Sequence, residues 1–451
     1  MKIRAVLYVP SDTPEATVAA TKRIAGVPLI LRGMMTLFQA GITDIGLLLK
    51  AAQRPKIERF LARYPRHLLP RIEIFTSDEP YRMSPELIAQ LLKAIDQHCY
   101  FLNANLLFDK ELVQAMMMAT SVHGREILSC QNGVHPLPFI ELTRQAWEAL
   151  LPFTAERPRS VESFLQELNR SQQRRIVQKS AKIQTFLVTG PRDRVIAEKF
   201  LLEGIRLATT GPVARFLNKR FSLPASLILS KLWVSPNTIT ILNMFIGIFA
   251  GVFVADGHQG SVILFGAALY QLASIIDGCD GEVAKLTFRG SRFGQIMDTI
   301  GDNLSLASIM IGMMGGYWRQ SHSPVAFWVG GTMLVAAVTT LVVMLQMMKS
   351  RTDSKSLVAY EQEYLTRLPA DRYRVLLWFM GWAKYAVKKD GFSLAVFLFA
   401  LAGHLYWWLF LSAGGAAIAA LSVSFLALAE RQRLIREPET LSSRIAMRSK
   451  T

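Results

Sequence analysis

The amino-acid sequence predicts an α/β domain followed by an all-α domain of six transmembrane helices. In the N-terminal half, short apolar runs alternate with helical stretches, which favours an α/β sheet. Apolar runs that approach the ~20 residues a helix needs to cross a bilayer occur only in the C-terminal half. The chain has 451 residues, 51% of them hydrophobic, and a formal net charge of +17. Together these features predict a membrane protein with a basic cytoplasmic side.

Anionic lipid and phosphorylated substrates explain the positive charge better than nucleic acid does. The sequence contains no recognisable nucleic-acid module, and many Lys and Arg residues stand beside the apolar runs. We therefore predict membrane lipid, and no nucleic acid, among the partners. The three cysteines have no CxxC spacing, so neither a disulfide framework nor a zinc site is expected. Residues 1–9 are too short and strand-like for a signal peptide.

Five apolar runs predict the strands of the N-terminal domain, which we expect to cover residues 1–195. The runs lie at residues 3–9, 44–49, 71–75, 100–108 and 126–130. The polar stretch 153–182, rich in Arg and Gln, predicts helical packing or a linker. Residues 196–236 are basic and amphipathic, which predicts an interfacial juxtamembrane helix; an ordinary connector helix is the equal alternative.

Hydropathy predicts six spans, which form a membrane domain at residues 237–435. The spans lie at residues 238–255, 261–276, 296–318, 325–348, 392–411 and 411–429. Lys and Arg crowd the loops of one side and the tail at residues 436–451, whereas the opposite loops carry almost none. By the positive-inside rule, this predicts a multi-pass inner-membrane protein whose termini and active site are cytoplasmic.

Four aspartates stand at the cytoplasmic ends of the second and third predicted spans. Asp277 and Asp280 are three residues apart, and Asp298 and Asp302 are four apart, so each pair lies on one helical face. A short connection makes the two helices antiparallel neighbours, which lets the carboxylates converge. Four like charges would repel strongly without a cation, and hard oxygen ligands suit Mg²⁺, Mn²⁺ or Ca²⁺. The alternative is a solvated helix-end face, which the regular spacing on both helices argues against.

Small residues and one cation accompany the aspartates. Gly281, Ala284 and Gly294 leave room for a substrate phosphate near the backbone, and Lys285 supplies a compensating charge. The complete pattern closely resembles the signature of the CDP-alcohol phosphotransferases: Asp277-x-x-Asp280-Gly281-x-x-Ala284-Lys285, eight residues, then Gly294-x-x-x-Asp298-x-x-x-Asp302. Lys285 stands where this family usually has Arg; Lys keeps the charge but loses the bidentate fork. The resemblance extends over residues 195–435.

The resemblance implies a metal-dependent displacement at phosphorus. Two divalent cations, Mg²⁺ or Mn²⁺, would bind the diphosphate of a CDP-alcohol donor. Their ligands would be Asp277, Asp280, Asp298 and Asp302. Asp302 would also act as the general base, removing the proton from an acceptor hydroxyl that attacks the β-phosphorus and expels CMP.

The resemblance also implies contacts with the cytidine diphosphate. The matching positions are Asn237, Thr240, Gly281, Lys285 and Ser291. For Asn237 and Thr240 the alternative is helix capping, because Pro-Asn-x-x-Thr is a good helix start by itself. We expect the CDP-alcohol donor, a hydroxyl acceptor and membrane lipid as partners, and a homodimer formed through the membrane domain.

The N-terminal domain carries a second resemblance. Gly26-Val27-Pro28-Leu29-Ile30, with the run at residues 40–45, resembles the sugar-phosphate nucleotidyltransferases, which implies a Rossmann-like fold. Some phosphotransferases of inositol-phosphate metabolism carry such a cytidylyltransferase domain in front. Here the residues for nucleotidyl transfer are missing. Residues 8–14, at the end of the first strand, contain no glycine, Asn103 and Asn105 replace a metal-binding carboxylate, and Thr189 replaces a late Asp. We therefore expect an inactive domain that binds, regulates or docks.

Three function classes follow. The leading hypothesis is an integral membrane CDP-alcohol phosphotransferase that makes a phospholipid from CDP-diacylglycerol or a polyol phosphodiester from a CDP-polyol. The second is a bifunctional enzyme of the inositol-phosphate type, which first makes its CDP-alcohol from CTP. The third is a non-enzymatic membrane scaffold, in which the aspartates would be dispensable.

Overall fold

The chain divides into two compact units in the computed structural model. It describes residues 3–9, 19–77, 85–119, 127–132, 135–145, 174–178, 183–190, 192–209, 211–349 and 388–418, with the single residues 148, 420, 421 and 424. The N-terminal unit comprises the described parts of Met1–Thr209, Leu223–Pro236 and Gly281–Gly290. The C-terminal unit comprises those of Thr210–Ser222, Asn237–Asp280 and Ser291–Thr451.

Most strands belong to the N-terminal unit's large sheet. They are β1 Ile3–Tyr8, β2 Arg23–Ile24, β3 Val27–Pro28, β4 Asp44–Lys50, β5 Arg71–Ser77, β6 Ile95–Asn103, β7 Leu106–Phe108, β8 Ile127–Asn132, β9 His135–Thr143, β10 Arg174–Gln178 and β11 Thr185–Leu187. Seven of them form the sheet, in the order β10-β8-β9-β6-β1-β4-β5. All neighbours in it are parallel except β9, which is antiparallel to both β6 and β8. The pairs β2-β3 and β7-β11 form two small antiparallel sheets.

The helices follow in chain order. They are α1 Leu29–Gln39, α2 Arg54–Leu61, α3 Pro85–Ala94, α4 Lys110–Ala119, α5 Asp193–Leu207, α6 Lys219–Lys231, α7 Pro236–Val254, α8 Gly260–Thr287, α9 Arg292–Ser321, α10 Val325–Lys349, α11 Lys389–Leu401 and α12 Leu405–Ile418. A π-helical turn, Val213–Asn218, precedes α6.

The central strands of the large sheet have the doubly wound order. β5-β4-β1-β6 is the spatial order of strands three, two, one and four of a Rossmann-type sheet, and the order reverses between β1 and β6. β1 is almost completely buried, and its apolar run is what a parallel strand covered on both faces requires. At the reversal point the backbone N–H of Ala104 donates to the carbonyl of Tyr8 at 2.8 Å. The predicted α/β class of this domain is therefore confirmed.

The strand predictions agree with the structure except at two places. Each of the five apolar runs contains a strand, but the run at residues 100–108 is divided into β6 and β7 by the turn at Ala104 and Asn105. The prediction for residues 153–182 was wrong where the structure describes that stretch, since residues 174–178 form β10, parallel to β8. Hydropathy does not reveal this strand because it begins with Arg174 and Arg175. Charged residues of this kind are common on sheet edges. The rest of that stretch lies outside the described residues.

The Gly-x-Pro-Leu-Ile segment that resembles the nucleotidyltransferases begins in the turn of the hairpin β2-β3 and ends at the start of α1. The turn residues, Ala25 and Gly26, have φ of 46° and 83°. The buried carboxylate of Glu198 on α5 accepts the N–H of Ala25 at 3.3 Å and the ammonium of Lys231 on α6 at 2.7 Å. A Cβ on Gly26 would overlap the carbonyl of Ser230. The hairpin, α5 and α6 are thus fastened together within the N-terminal unit.

The C-terminal unit is helical and packs around one apolar cluster. Fully buried members of this cluster include Ala250 on α7, Tyr270 on α8, Ile309 on α9, Val396 on α11 and Leu409 on α12. Helices α7 and α9 approach closely, because a Cβ on Gly251 would overlap the carbonyl of Ser308. Small residues at such crossings are typical of membrane helices.

In the part of the chain that the structure describes, two helices, α7 and α8, are long and apolar enough to cross a membrane by length and composition. The predicted count of six spans is not confirmed and stays a prediction. The prediction that residues 392–411 form a single helical span is wrong, because α11 ends at Leu401 and α12 begins at Leu405. Gly403 has φ of 74° there, and the N–H of His404 donates to the carbonyl of Phe399 at 2.8 Å, as in a helix C-cap. Most of the sixth predicted span lies outside the described residues.

The hairpin turn generates the first prediction. Gly26→Ala should lower the free energy of unfolding by about 2–4 kcal/mol, combining about 1 kcal/mol for a left-handed L-residue with about 1–3 kcal/mol for the overlap. Gly41→Ala is the matched control, because Gly41 has φ of 101° but open space around it. Its loss should be about 1 kcal/mol. Chemical unfolding in detergent, followed by tryptophan fluorescence, measures both; equal losses would contradict the overlap argument.

Candidate metal centre and active site

Helix α9, which carries Asp298 and Asp302, begins after a serine N-cap. Ser291 has extended backbone angles, φ −135° and ψ 151°, and its hydroxyl accepts the N–H of Gly294 at 2.9 Å. This is the usual hydrogen bond of a serine N-cap. The cap defines the start of α9, and with it the positions of Asp298 and Asp302, about two and three turns further on.

Three of the four predicted aspartates meet in the C-terminal unit. Asp277, Asp298 and Asp302 each offer a carboxylate oxygen, and these oxygens all lie within 4.8 Å of one another. The three residues are half-buried, so water screens their mutual repulsion only in part. Carboxylate oxygens are hard ligands of the kind that Mg²⁺ and Mn²⁺ prefer. The donor set therefore fits a divalent cation.

A lysine contacts two members of this trio. The ammonium of Lys389, the first residue of α11, donates to Oδ1 of Asp277 at 2.6 Å and to Oδ1 of Asp302. The amide of Asn243 on α7 also donates to Oδ1 of Asp277, at 3.1 Å. Asn243 was not among the predicted site residues, although it lies three residues after Thr240 and hence on the same helical face.

Asp280 is not part of the trio. Its carboxylate is buried and accepts the hydroxyl of Thr240 at 2.5 Å. Thr240 lies one turn inside α7, so its side chain bonds to a residue of α8 instead of capping its own helix. The structure thus pairs two predicted site residues, Thr240 and Asp280, beside the carboxylate trio.

The other predicted nucleotide contacts lie at helix ends. A Cβ on Gly294 would be 2.8 Å from Oδ1 of Asn237 and 3.1 Å from Oγ of Ser291, so this glycine admits the close approach of both side chains. Gly281 and Lys285 are exposed on the last two turns of α8. A Cβ on Gly281 would meet open space, so no protein packing requires a glycine there.

A buried polar network stands behind Lys389. Asp390, the next residue, accepts the amide of Asn218 at 2.8 Å and the hydroxyl of Ser274 at 3.3 Å. Gln271 donates to Oδ1 of Asn218 at 3.3 Å. The sequence did not predict a role for Asn218, Gln271 or Ser274 in this network. The one available signal was Ser274, which is three residues before Asp277 and shares its helical face.

In the α/β domain, the ends of β1 and β6 hold amides where the resemblance leads one to expect a carboxylate. Asn103 and Asn105 are both buried, and Oδ1 of Asn103 accepts the N–H of Asn105 at 2.8 Å. Thr189 donates from its N–H and its hydroxyl to Oδ2 of Asp193, at 2.8 and 2.7 Å. These two bonds hold the pKa of the Asp193 carboxyl below its usual value. Residues 10–18, which follow β1, lie outside the described part of the chain.

An apolar helical unit whose facing carboxylates can hold a divalent cation is an arrangement suited to the transfer of phosphate-containing groups. Residues 233–426 match the CDP-alcohol phosphatidyltransferase family, and they contain all four predicted aspartates, Asp277, Asp280, Asp298 and Asp302. This part of the chain is therefore a CDP-alcohol phosphatidyltransferase domain.

Curated relatives match part of the chain. The bifunctional IPC transferase and DIPP synthase of Rubrobacter xylanophilus is 32% identical over 129 residues, which are 29% of this chain and 29% of that protein. The protein of the same name from Thermococcus kodakarensis is 33% identical over 135 residues, 28% of this chain and 30% of the relative. The archaetidylinositol phosphate synthase of Pyrococcus horikoshii is 34% identical over 92 residues, 20% of this chain and 47% of the relative. The match thus spans less than a third of the two bifunctional relatives.

Among solved structures, the chain is similar to the inositol-1-phosphate CTP transferase of T. maritima, with a TM-score of 0.35 and 10% identity. That similarity covers 44% of this chain and 96% of the other. It is also similar to a 4-diphosphocytidyl-2C-methyl-D-erythritol synthase of Anaerococcus prevotii, with a TM-score of 0.35 and 12% identity over 44% of this chain and 98% of the other.

The carboxylate trio generates the second prediction. Asp298→Asn should weaken Mn²⁺ binding by about tenfold or more, because a neutral amide replaces one of three charged donors. Asp256→Asn is the control, since Asp256 lies in the loop after α7 and accepts the N–H of Gln259 at 2.9 Å. Titration of free Mn²⁺ by electron paramagnetic resonance measures both variants. Unchanged binding by Asp298→Asn would exclude it as a ligand.

Proposed function

We propose that this chain is an integral membrane CDP-alcohol phosphotransferase. It transfers a phosphoalcohol or phosphatidyl group from a CDP-alcohol to a hydroxyl acceptor and releases CMP. One observation carries the proposal: the carboxylates of Asp277, Asp298 and Asp302 lie within 4.8 Å of one another, inside the domain that matches the family. The donor alcohol is that of a phospholipid or of a polyol phosphodiester.

The four aspartates have two proposed roles, metal binding and proton removal. Two divalent cations, Mg²⁺ or Mn²⁺, would be held by Asp277, Asp280, Asp298 and Asp302. When bound, these cations neutralise the diphosphate of the donor and orient it for in-line attack. Asp302 takes the proton of the acceptor hydroxyl, whose oxygen bonds to the β-phosphorus while the bond from that phosphorus to the CMP oxygen breaks. CMP leaves as the anion.

The nucleotide would lie against the ends of α7, α8 and α9. The proposed contacts are Asn237, Thr240, Gly281, Lys285 and Ser291. The exposure of Gly281 and Lys285, and the open space at Gly281, support a ligand on this part of α8. Ser291 already accepts a hydrogen bond as the cap of α9, so any contact of its hydroxyl with the nucleotide adds to the capping role.

Exposed apolar surface supports the membrane assignment. Large side chains of α7 face outward from the unit, among them Leu242, Phe245, Phe249 and Val252, which are 56%, 49%, 55% and 60% exposed. Lipid is the environment that makes such a surface favourable. We propose six spans in an inner membrane, with both termini and the active site cytoplasmic, and a homodimer formed through the membrane domain.

We also propose the domain boundaries that the sequence predicts: residues 1–195 for the α/β domain, 196–236 for the juxtamembrane segment, 237–435 for the membrane domain and 436–451 for the tail. Exposed apolar residues support an interfacial role for the juxtamembrane segment. They include Ile196 on α5 and Ile228 on α6, which are 53% and 59% exposed.

A bifunctional enzyme is the second candidate, because the curated relatives carry that word in their names and the α/β domain has the doubly wound strand order. The amides of Asn103 and Asn105 argue against nucleotidyl transfer, since neither can replace a carboxylate as a metal ligand of comparable strength. We therefore propose an inactive α/β domain. A scaffold without activity would leave the carboxylate trio unexplained.

The third prediction tests the transferase. Asp302→Asn should lower CMP release by about 10²–10⁴-fold, because the amide cannot accept the proton of the acceptor hydroxyl. The assay uses the full chain in detergent with Mn²⁺ and a panel of CDP-diacylglycerol and CDP-polyols crossed with hydroxyl acceptors. Asp256→Asn is again the control and should keep full turnover. Full turnover by Asp302→Asn would refute its role as the base.

The fourth prediction concerns the α/β domain. The full chain, given CTP, a sugar or polyol phosphate and Mg²⁺, should release no pyrophosphate, because carboxylates are absent at Asn103 and Asn105. An enzyme-coupled pyrophosphate assay measures this. Steady turnover to pyrophosphate would show that the bifunctional candidate is correct, provided that it disappears when the protein is denatured.

A further inference from the structure

We propose that Arg32 and Tyr64 of the α/β domain are positioning residues for the transferase: they cap the C-terminal end of α8 and so hold the segment that presents Lys285 to the donor. The inference rests on the proposed function, because it assigns these side chains a role in that reaction. The residues that make the cap all belong to the N-terminal unit as defined above.

The end of α8 needs hydrogen-bond donors from outside the helix. The last four carbonyls of any α-helix have no partner within it. In α8, the guanidinium of Arg32 donates to the carbonyl of Leu286 at 2.8 Å, and the hydroxyl of Tyr64 donates to the carbonyl of Thr287 at 2.8 Å. The donors precede these acceptors by 254 and 223 residues. Two of the final carbonyls of α8 are therefore satisfied by the α/β domain.

Arg32 is unusual because it is a charged residue in a buried place. Its side chain is 4% exposed, and the nitrogen that reaches Leu286 also donates to the carbonyl of Ile24 at 2.8 Å. The guanidinium lies 5.3 Å from the ring centre of Phe288. A cation at a helix C-terminus is favoured by the helix dipole, which helps to offset the cost of its burial. Burial lowers the pKa of Arg32 to about 10, so the side chain is still positive at neutral pH.

Tyr64 belongs to an aromatic cluster that fastens the following loop. Its ring meets that of Trp233 edge to face at 5.6 Å, and the guanidinium of Arg289 lies 5.0 Å from the same indole ring. Arg289 also donates to the carbonyls of Trp233 and Val234, at 3.3 Å each. Burial raises the pKa of the Tyr64 hydroxyl, so it stays protonated and donates throughout the physiological range.

The backbone around the cap is held in an unfavourable conformation. Phe288, directly after α8, has φ of 56°, and Trp233 has φ of 62°. Bulky residues rarely adopt positive φ, and such positions persist only where the surroundings impose them. The ring of Phe288 under Arg32 and that of Trp233 between Tyr64 and Arg289 are the contacts that impose it here. Without the cap, we expect this segment to relax.

Position along α8 determines which property would suffer. Lys285 immediately precedes Leu286, whereas Asp277 lies more than two turns upstream, in the C-terminal unit. Loosening the end of the helix therefore disturbs Lys285 first and the carboxylate trio least. Loss of the cap should raise KM for the CDP-alcohol while Mn²⁺ binding stays normal.

Three variants and one control test this inference in the full chain. Arg32→Met removes the charge and both hydrogen bonds at similar length, Arg32→Lys keeps the charge, and Tyr64→Phe removes one hydroxyl. Arg63→Met is the matched control, because Arg63 is exposed and lies 5.5 Å from the ring centre of Phe60 in the same aromatic cluster.

We expect Arg32→Met to raise KM for the CDP-alcohol by about tenfold, Tyr64→Phe by about threefold, and Arg32→Lys to recover part of the loss. Mn²⁺ binding should stay within twofold of the unmodified protein in every variant, and Arg63→Met should behave as the unmodified protein does. Hydrogen exchange adds a readout that needs no activity: amides of residues 285–290 should exchange faster in Arg32→Met and Tyr64→Phe, while those of β1 and β4 should not.

The failure of this inference differs from that of the proposed function. If the unmodified protein released no CMP from any donor, the proposed function would fail, and hydrogen exchange would still decide whether the cap holds the segment. Normal KM in Arg32→Met and Tyr64→Phe, with unchanged exchange at residues 285–290, would overturn the inference. If Arg32→Met did not fold, Tyr64→Phe, which loses a single oxygen atom, would carry the test alone.

Discussion

Mutual repulsion among the carboxylates of Asp277, Asp298 and Asp302 is the constraint on which the helical unit depends. Their oxygens lie within 4.8 Å of one another, so the helices that bear them must be held together by other contacts. Close packing through Gly251 brings α7 against α9, and Lys389 and Asn243 donate hydrogen bonds to the trio. The same repulsion would favour a divalent cation at this place, because a bound cation would remove it.

Elements that leave a local pattern in the sequence were predictable, and elements that depend on contacts between distant residues were not. The strands β1, β4 and β5 and the approach of Asp277, Asp298 and Asp302 were predictable because a buried strand or a helical face leaves a periodic pattern in the sequence. Strand β10 was not predicted, because its pairing with β8 specifies it and its own sequence includes Arg174 and Arg175. The break between α11 and α12 was missed because one glycine, Gly403, interrupts an otherwise uniform apolar run.

Within the site, local spacing predicted that Asp277, Asp298 and Asp302 lie close together, but not which residues support them. Asp277 and Asp280 were expected to act together, yet they have different partners. Asp277 lies with Asp298 and Asp302, whereas the carboxylate of Asp280 accepts a hydrogen bond from Thr240. Asn218 could not have been recognised, since its role depends on Asp390, which is 172 residues away in the sequence. Hydrogen bonds between distant residues leave no periodicity to read.

The long sequence separation of the cap on α8 has a consequence for biosynthesis. Arg32 and Tyr64 are translated 254 and 223 residues before the carbonyls that they bind. Domains generally fold in the order in which they leave the ribosome, so the α/β domain can be complete before α8 is made. Leu286 and Thr287 then dock onto a finished surface, which avoids the slow search that contacts of such separation would otherwise require. The α/β domain would in this way serve as the template on which the end of α8 is assembled.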